Sequence, residues 1–266
     1  MNLEAQQTSS TANGRLWGLA AEDWAELQEP TCRPVYQAVF DRVALSAGQH
    51  YLDLGCGAGL AAQMAAERGA HVAGLDAAQN LVAIAKSRTP TGEFSVGELE
   101  RPPFVDARFD LVTGFNSLQY AAHPDVALKE AKRLAKSGGS VVIMTWGDPN
   151  GMEAASLVAA LKPLMPSAPP GAPGPFALSD RTVLTAFAER AGLVVEEILD
   201  VPSPWQYADL DTAIRALNSS GVAARAAEHS GREAVTTAHR NALAPFRQAD
   251  GSYRVQATFR CLLARS

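Results

Sequence analysis

Residues 52–60 read Leu-Asp-Leu-Gly-Cys-Gly-Ala-Gly-Leu, which places glycines at 55, 57 and 59. A short apolar run, Tyr51 to Leu54, leads into them, and Leu60, Ala61, Met64 and Ala65 follow at helical spacing. A strand that turns through alternate glycines into a helix has a physical purpose. The chain must bend sharply and a ligand must come close to the backbone, so Cβ atoms are excluded. Two common nucleotide loops do not fit. A dinucleotide fingerprint needs its third glycine at position 60, which is Leu60, and no Lys-Ser/Thr pair follows as a phosphate-binding loop requires. Asp53 precedes the first glycine, and a carboxylate there suits a ligand with a cationic head rather than a pyrophosphate. Gly74-Leu75-Asp76 closes the next apolar run. It sets Asp76 about 20 residues after Gly55, the spacing at which an acid reads ribose hydroxyls.

The same alternation continues along the chain. His71 to Leu75, Phe94 to Val96, Phe109 to Phe115 and Val141 to Trp146 read as strands. Between them lie helical segments carrying Leu81, Ile84 and Ala85, and then Ala127, Ala131 and Leu134, the latter opened by Pro124 and closed by Gly138-Gly139. Ser179 caps a further helix with Val183, Leu184, Phe187 and Ala191 on one face, and Leu193 to Val201 and Tyr253 to Leu263 supply two more strands. Strands alternating with helices of this length predict an α/β fold with a doubly wound, largely parallel sheet of seven strands. Residues 1–14 are polar and read as a flexible tail. Residues 15–48 read as N-terminal helices that could close as a lid. Residues 49–266 read as one ligand-binding domain, with a Pro-rich connection at 163–175 and an Ala-rich helical insert at about 206–248 that caps it.

Composition removes several classes of function. Hydrophobic residues make up 47% and charged residues 19%, enough for a packed core and too apolar for a disordered chain. Lys and Arg number 23 against 28 Asp and Glu, a net charge of −5, which disfavours nucleic acid and anionic membrane as partners. The longest strongly apolar run, Val141 to Trp146, is far short of a membrane span, and the N-terminal residues lack the pattern of a secretory signal. Cys32, Cys56 and Cys261 form no disulfide framework, which fits a reducing compartment, so the expected location is cytoplasmic. No Cys or His spacing suggests a metal site.

In the motifs DLGCGAG (53–59), GLD (74–76), GELERPPF (97–104), FDLVTGFNSLQY (109–120) and the glycine turn before VVIMTW (141–146), the chain resembles the class I S-adenosylmethionine-dependent methyltransferases. The likeness is to the small-molecule, type 11 branch that includes the ubiquinone/menaquinone C-methyltransferases. The resemblance implies a Rossmann-like sheet whose last strand is antiparallel, S-adenosyl-L-methionine as cofactor and a small-molecule acceptor. Position by position, it implies that Asp53, Gly55 and Gly57 border the methionine moiety, with Cys56 inside the same loop. Asp76 would bind the ribose hydroxyls, and Ala77 and Leu81 would flank the adenine. Glu98 and Leu99 stand where the family carries an Asp and an apolar residue near the adenine amine. Asn116 would sit near the reacting methyl.

Because the sulfonium methyl is already activated, transfer needs alignment and exclusion of water more than a catalytic side chain. If the acceptor must lose a proton, His123, between the fourth strand and Pro124, is the candidate base. His229 and His239 in the insert are read as solvated helix residues, and His50 and His71 start strands at the opposite end of the sheet. Tyr120, Trp146, Trp205 and Tyr207 are the candidates for lining an apolar acceptor pocket, and Trp17 and Trp24 for closing a lid. The acidic N-terminal helix is the surface offered for a homodimer. The expected function is methyl transfer to a small apolar or aromatic metabolite. The alternative is a protein of the same fold that binds the cofactor without transferring methyl, as a cyclase or a binding partner. A base-modifying enzyme is disfavoured because Phe115-Asn116-Ser117-Leu118 replaces the Asn/Asp-Pro-Pro-aromatic segment such enzymes use, and a nicotinamide oxidoreductase because of the glycine spacing.

Overall fold

The computed structural model describes residues 9–167 and 174–266. The chain opens with α1 (Ser9–Gly18) and the single turn α2 (Ala21–Asp23), then a π-helical turn over Trp24–Gln28 and a 3-10 turn over Glu29–Cys32 lead into α3 (Arg33–Arg42). The alternating part follows: β1 (His50–Leu54), α4 (Leu60–Glu67), β2 (His71–Asp76), α5 (Gln79–Arg88), β3 (Glu93–Val96), β4 (Phe109–Phe115), α6 (Pro124–Leu134) and β5 (Ala135–Trp146). After α7 (Ala154–Ala160) come α8 (Arg181–Arg190), β6 (Val194–Pro202), and an insert of β7 (Trp205–Tyr207), α9 (Leu210–Asn218), α10 (Gly221–Ser230), α11 (Arg232–Leu243) and β8 (Tyr253–Val255). Strand β9 (Thr258–Arg265) ends the chain. Helix α1 thus begins inside the segment read as a tail, and of that tail residues 1–8 lie outside the described residues. Residues 168–173 of the Pro-rich connection also lie outside them.

The main sheet has seven strands in the order β3-β2-β1-β4-β5-β9-β6. Neighbours from β3 to β5 are parallel, and β9 runs antiparallel to both β5 and β6, as expected for the last strand. Period-two alternation splits the core into two layers. On β1, Tyr51 joins a core with Val39, Phe40 and Leu60, whereas Leu52 and Leu54 face Leu128, Leu134 and Leu184 on the other side. Asp53 shares the face of Tyr51, and its register partner on β4 is Thr113. The sequence run Tyr253 to Leu263 is two strands rather than one. Its apolar alternation is unbroken, but Gln256 N–H donates to Glu153 Oε2 (2.7 Å) and the Ala257 carbonyl accepts from Ser203 N–H (2.8 Å), so the chain crosses from the small β7-β8 sheet into the main one there.

The strand order reverses between β1 and β4, which opens a crevice above their C-terminal ends. The glycine loop follows β1 and Asn116 follows β4, so the sheet alone brings these two segments together. The insert, with α1, closes over the crevice: Trp17 packs on Gly221 of α10, and Arg15 pairs with Glu228.

Candidate functional site

The glycine loop is held by its own backbone. Gly55 and Cys56 N–H groups both donate to the Leu75 carbonyl (2.7 and 3.0 Å), tying the loop to β2. Gly55 has φ +81°, and a Cβ there would lie 2.3 Å from the Ser117 Cβ, so the close approach of the β1 and β4 loops requires glycine. Asp76 finishes β2 beneath this loop. Its Oδ2 accepts from Gly57 N–H (2.9 Å) and its Oδ1 from Ala78 N–H (2.8 Å). Burial raises its pKa above the ordinary carboxylate range, and those backbone donors oppose the rise. Each oxygen keeps a lone pair for a further donor.

Two more carboxylates lie nearby. Asp53 is 2% exposed, and its Oδ1 accepts from Thr113 Oγ1 (2.8 Å). Burial pushes its pKa up to about 7, against the Thr113 hydrogen bond and with help from Glu29 and Asp76. Glu29, on the N-terminal 3-10 turn, is 3% exposed and paired with Arg88 of α5. Burial pushes it too up to about 7, opposed by Arg88. Arg88 also donates to the Ala58 carbonyl (3.0 Å) in the glycine loop and the Ala25 carbonyl (2.7 Å). One guanidinium therefore joins α5, the N-terminal segment and the loop.

Beside these residues lies a cavity at the switch point of the sheet. Gly55, Gly57, Asp76, Ala77, Leu81 and Leu99 line one side. Asn13, Trp17 and Trp24 from the N-terminal segment cover it, and Cys32, Tyr36, Phe115 and Met144 form an apolar end beside Asn116. Asn13 Nδ2 donates to the Tyr120 carbonyl (2.8 Å), and the indole of Trp17 packs edge-on against the rings of Trp24 and Tyr120 at 4.8 and 5.7 Å. Asn116 adopts φ +52°, a left-handed conformation Asn tolerates better than most residues. Its Oδ1 accepts from Gln119 Nε2 (2.5 Å). The carboxylates Asp76 and Glu100 line the cavity, and among the described residues no Lys, Arg or His does. A site with anionic walls and no lining cation suits a ligand that carries positive charge.

The sequence candidates are distributed unevenly around this cavity. Gly55, Gly57, Asp76, Ala77, Leu81, Leu99, Asn116 and Tyr120 line it. Asp53 and Cys56 lie behind the loop, buried. Glu98 falls between the lining residues Gly97 and Leu99, and the carboxylate at that end of the cavity is Glu100. His123 is outside the lining: its ring is exposed at the start of α6, and its backbone N–H donates to Glu100 Oε1 (3.0 Å). Trp146, Trp205 and Tyr207 are core residues. Trp146 stacks on Phe259 at 4.9 Å, and the Tyr207 hydroxyl donates to buried Gln28 (2.7 Å). His229 is exposed, whereas His239 is a buried core residue whose Nδ1 meets Asn218 Oδ1 (2.7 Å). Sequence reasoning did not single out Asn13, Glu29, Cys32, Tyr36, Arg88, Glu100 or Thr113. The one available signal was the amphipathic N-terminal segment, whose acidic residues included Glu29.

A Rossmann-like sheet with a glycine turn, a buried acid at the end of the next strand and a cavity at its switch point is an arrangement that suits a nucleoside cofactor. Residues 52–143 match the family described as a methyltransferase domain. Demethylmenaquinone methyltransferase of Renibacterium salmoninarum is 33% identical over 111 residues, 42% of this chain and 47% of that protein. The malonyl-[acyl-carrier protein] O-methyltransferase of Serratia marcescens is 32% identical over 98 residues, 37% of this chain and 38% of that protein. The chain therefore matches about half or less of the length of these relatives. The [4+2]-cyclase SpnF shares the fold at a TM-score of 0.63 over 97% of both chains, with 20% identity. Over these residues the chain is similar to methyltransferase domains, a family in which S-adenosyl-L-methionine is the cofactor.

Proposed function

We propose that this chain transfers a methyl group from S-adenosylmethionine to a small apolar or aromatic acceptor. The observation that carries the reading is the two-part cavity. One part has carboxylates and no lining cation, and the other is the apolar end at Cys32, Tyr36, Phe115 and Met144. The cofactor, when bound, supplies an activated methyl. The protein's part is to fix it and keep water out. Asp76 would accept from the ribose hydroxyls, Leu81 and Leu99 would flank the adenine, and the glycine loop would border the methionine portion. Tyr36 and Tyr120 carry phenols that burial keeps protonated, Tyr120 up to about 12, so they serve as hydrogen-bond donors rather than bases. With His123 outside the cavity lining, transfer rests on alignment and desolvation. The name of the demethylmenaquinone methyltransferase relative favours a quinone-type or other lipophilic acceptor.

Calorimetric titration with S-adenosylmethionine, S-adenosylhomocysteine and NAD tests the cofactor. The first two should bind at micromolar concentration and NAD should not. An acceptor screen read by mass spectrometry then tests the reaction. The second reading is a cyclase that binds the cofactor without using its methyl. It is favoured by one observation, the likeness to SpnF across the cap as well as the sheet. A product isomeric with its substrate, formed while the cofactor is not consumed, would establish that reading. A methylated product would end it.

A further inference from the structure

One side-chain amide in the cavity wall is tethered at its oxygen and free at its nitrogen. Asn116 follows β4, and its backbone N–H donates to the Met144 carbonyl (3.0 Å). Its φ of +52° turns the chain out of the strand, and the next residue, Ser117, abuts Gly55 of the glycine loop. Asn116 therefore stands where the part of the cavity bordered by that loop meets the apolar end of Cys32, Tyr36, Phe115 and Met144. Its Oδ1 accepts from Gln119 Nε2 (2.5 Å), which leaves the two N–H groups of Nδ2. Among the described residues, no acceptor reaches them. Holding this orientation leaves Gln119 Oε1 buried without a partner of its own among those residues. The neighbouring polar groups are engaged elsewhere. Ser117 Oγ donates to the Leu54 carbonyl (2.5 Å), and Asn13 Nδ2 to the Tyr120 carbonyl (2.8 Å).

We propose that Asn116 is a specificity-determining residue that reads the acceptor. Its Nδ2 donates to a carbonyl-type oxygen close to the atom that receives the methyl, and Gln119 is the positioning residue that aims it. The proposal rests on the methyl-transfer reading above, and it assigns the Asn116 side chain to the acceptor rather than to the cofactor. The walls define the substrate class. Among the described residues no Lys, Arg or His lines the cavity, so an entering carboxylate or phosphate would be buried without a counter-charge. A hydrocarbon would fill the apolar end but leave the amide N–H groups unpaired, which a desolvated site penalises. A cyclic or aromatic ketone, or its enol, fills the same space and satisfies the donor.

The test loads the protein with S-adenosylhomocysteine and titrates it, by calorimetry, with α-tetralone and with tetralin, the same ring system with and without the carbonyl oxygen. Asn116→Asp keeps the size, tolerates the left-handed backbone and still accepts from Gln119, but as a carboxylate it donates nothing. It should lower the ratio of α-tetralone to tetralin affinity at least tenfold, with tetralin and S-adenosylhomocysteine each within about threefold of the wild type. Asn116→Gly, natural at this φ, removes the amide altogether and should lower the ratio in the same way. Gln119→Met, which removes only the tether, should lower it at least threefold and leave tetralin unchanged, whereas a merely structural Gln119 would weaken both rings together. A ratio that survives in both Asn116 variants, equal weakening of the two rings, or loss of S-adenosylhomocysteine binding in Asn116→Asp would each overturn the proposal alone. Wild-type protein that binds S-adenosylhomocysteine but neither ring would remove the acceptor site, and the proposal with it. Wild-type protein that does not bind S-adenosylhomocysteine would remove the cofactor reading on which both stand.

Discussion

Asp76 contributes through atoms already partly used. Two backbone amides fix its direction, and the remaining lone pairs face the cavity. Asp76→Ala should lower affinity for S-adenosylmethionine by about 10- to 100-fold, the loss of charge-assisted hydrogen bonds worth about 1.5–3 kcal/mol, as read by calorimetry. Asp76 was legible in sequence because a strand end and a fixed distance from the first glycine locate it. His239 was not. It reads as one polar residue on a helix, but tertiary packing buries it against Asn218 and lowers its pKa to about 4. The unfolded chain takes up this proton near pH 6.5 and the folded protein only near 4. Stability is therefore intact above about pH 6.5 and is lost as pH falls toward 4, by up to about 3 kcal/mol. Urea denaturation at pH 7 and pH 4.5 should show the drop, and His239→Gln should flatten it.

Between elements, the joint that matters is the Arg88–Glu29 pair. It links helix α5 to a turn 59 residues earlier in the chain and, through Ala58, to the glycine loop. Arg88→Met should destabilise the fold by about 3–5 kcal/mol, because it strands a buried carboxylate. The double variant Arg88→Met/Glu29→Gln should recover most of the loss, and thermal denaturation distinguishes the two outcomes. Helix α1 makes a second joint. A Cβ at Gly14 would lie 2.2 Å from the Ala77 carbonyl oxygen, which belongs to backbone and cannot swing away. Gly14→Ala should lift α1 from the cavity, weaken cofactor binding and speed proteolysis of the N-terminal segment. Each helix taken singly is visible as an apolar stripe. Which turn meets which loop is a long-range contact, and nothing in the local pattern encodes it.

Across the whole molecule, cofactor binding should act as a staple between the N-terminal cover and the sheet. At about 100 times its dissociation constant, S-adenosylhomocysteine should add about 2.7 kcal/mol and raise Tm by about 5–10 °C, with no shift from NAD, in scanning calorimetry. The fold class followed from sequence because strand and helix periodicities are local, and the parallel alternation leaves few ways to wind a sheet. The glycine loop and Asp76 followed because backbone geometry demands glycine at a tight approach and the next strand end fixes the acid. Three-dimensional packing alone decided the cavity's walls. The N-terminal segment delivered Asn13 to its cover and Cys32 and Tyr36 to its apolar end, and behind the glycine loop register set Asp53 against Thr113. Packing also drew Trp146, Trp205 and Tyr207 into the core and left His123 at the surface. An aromatic at a strand end can face a ligand or a neighbouring strand with the same sequence around it. The choice is made by which surfaces meet when distant segments bury their apolar faces together.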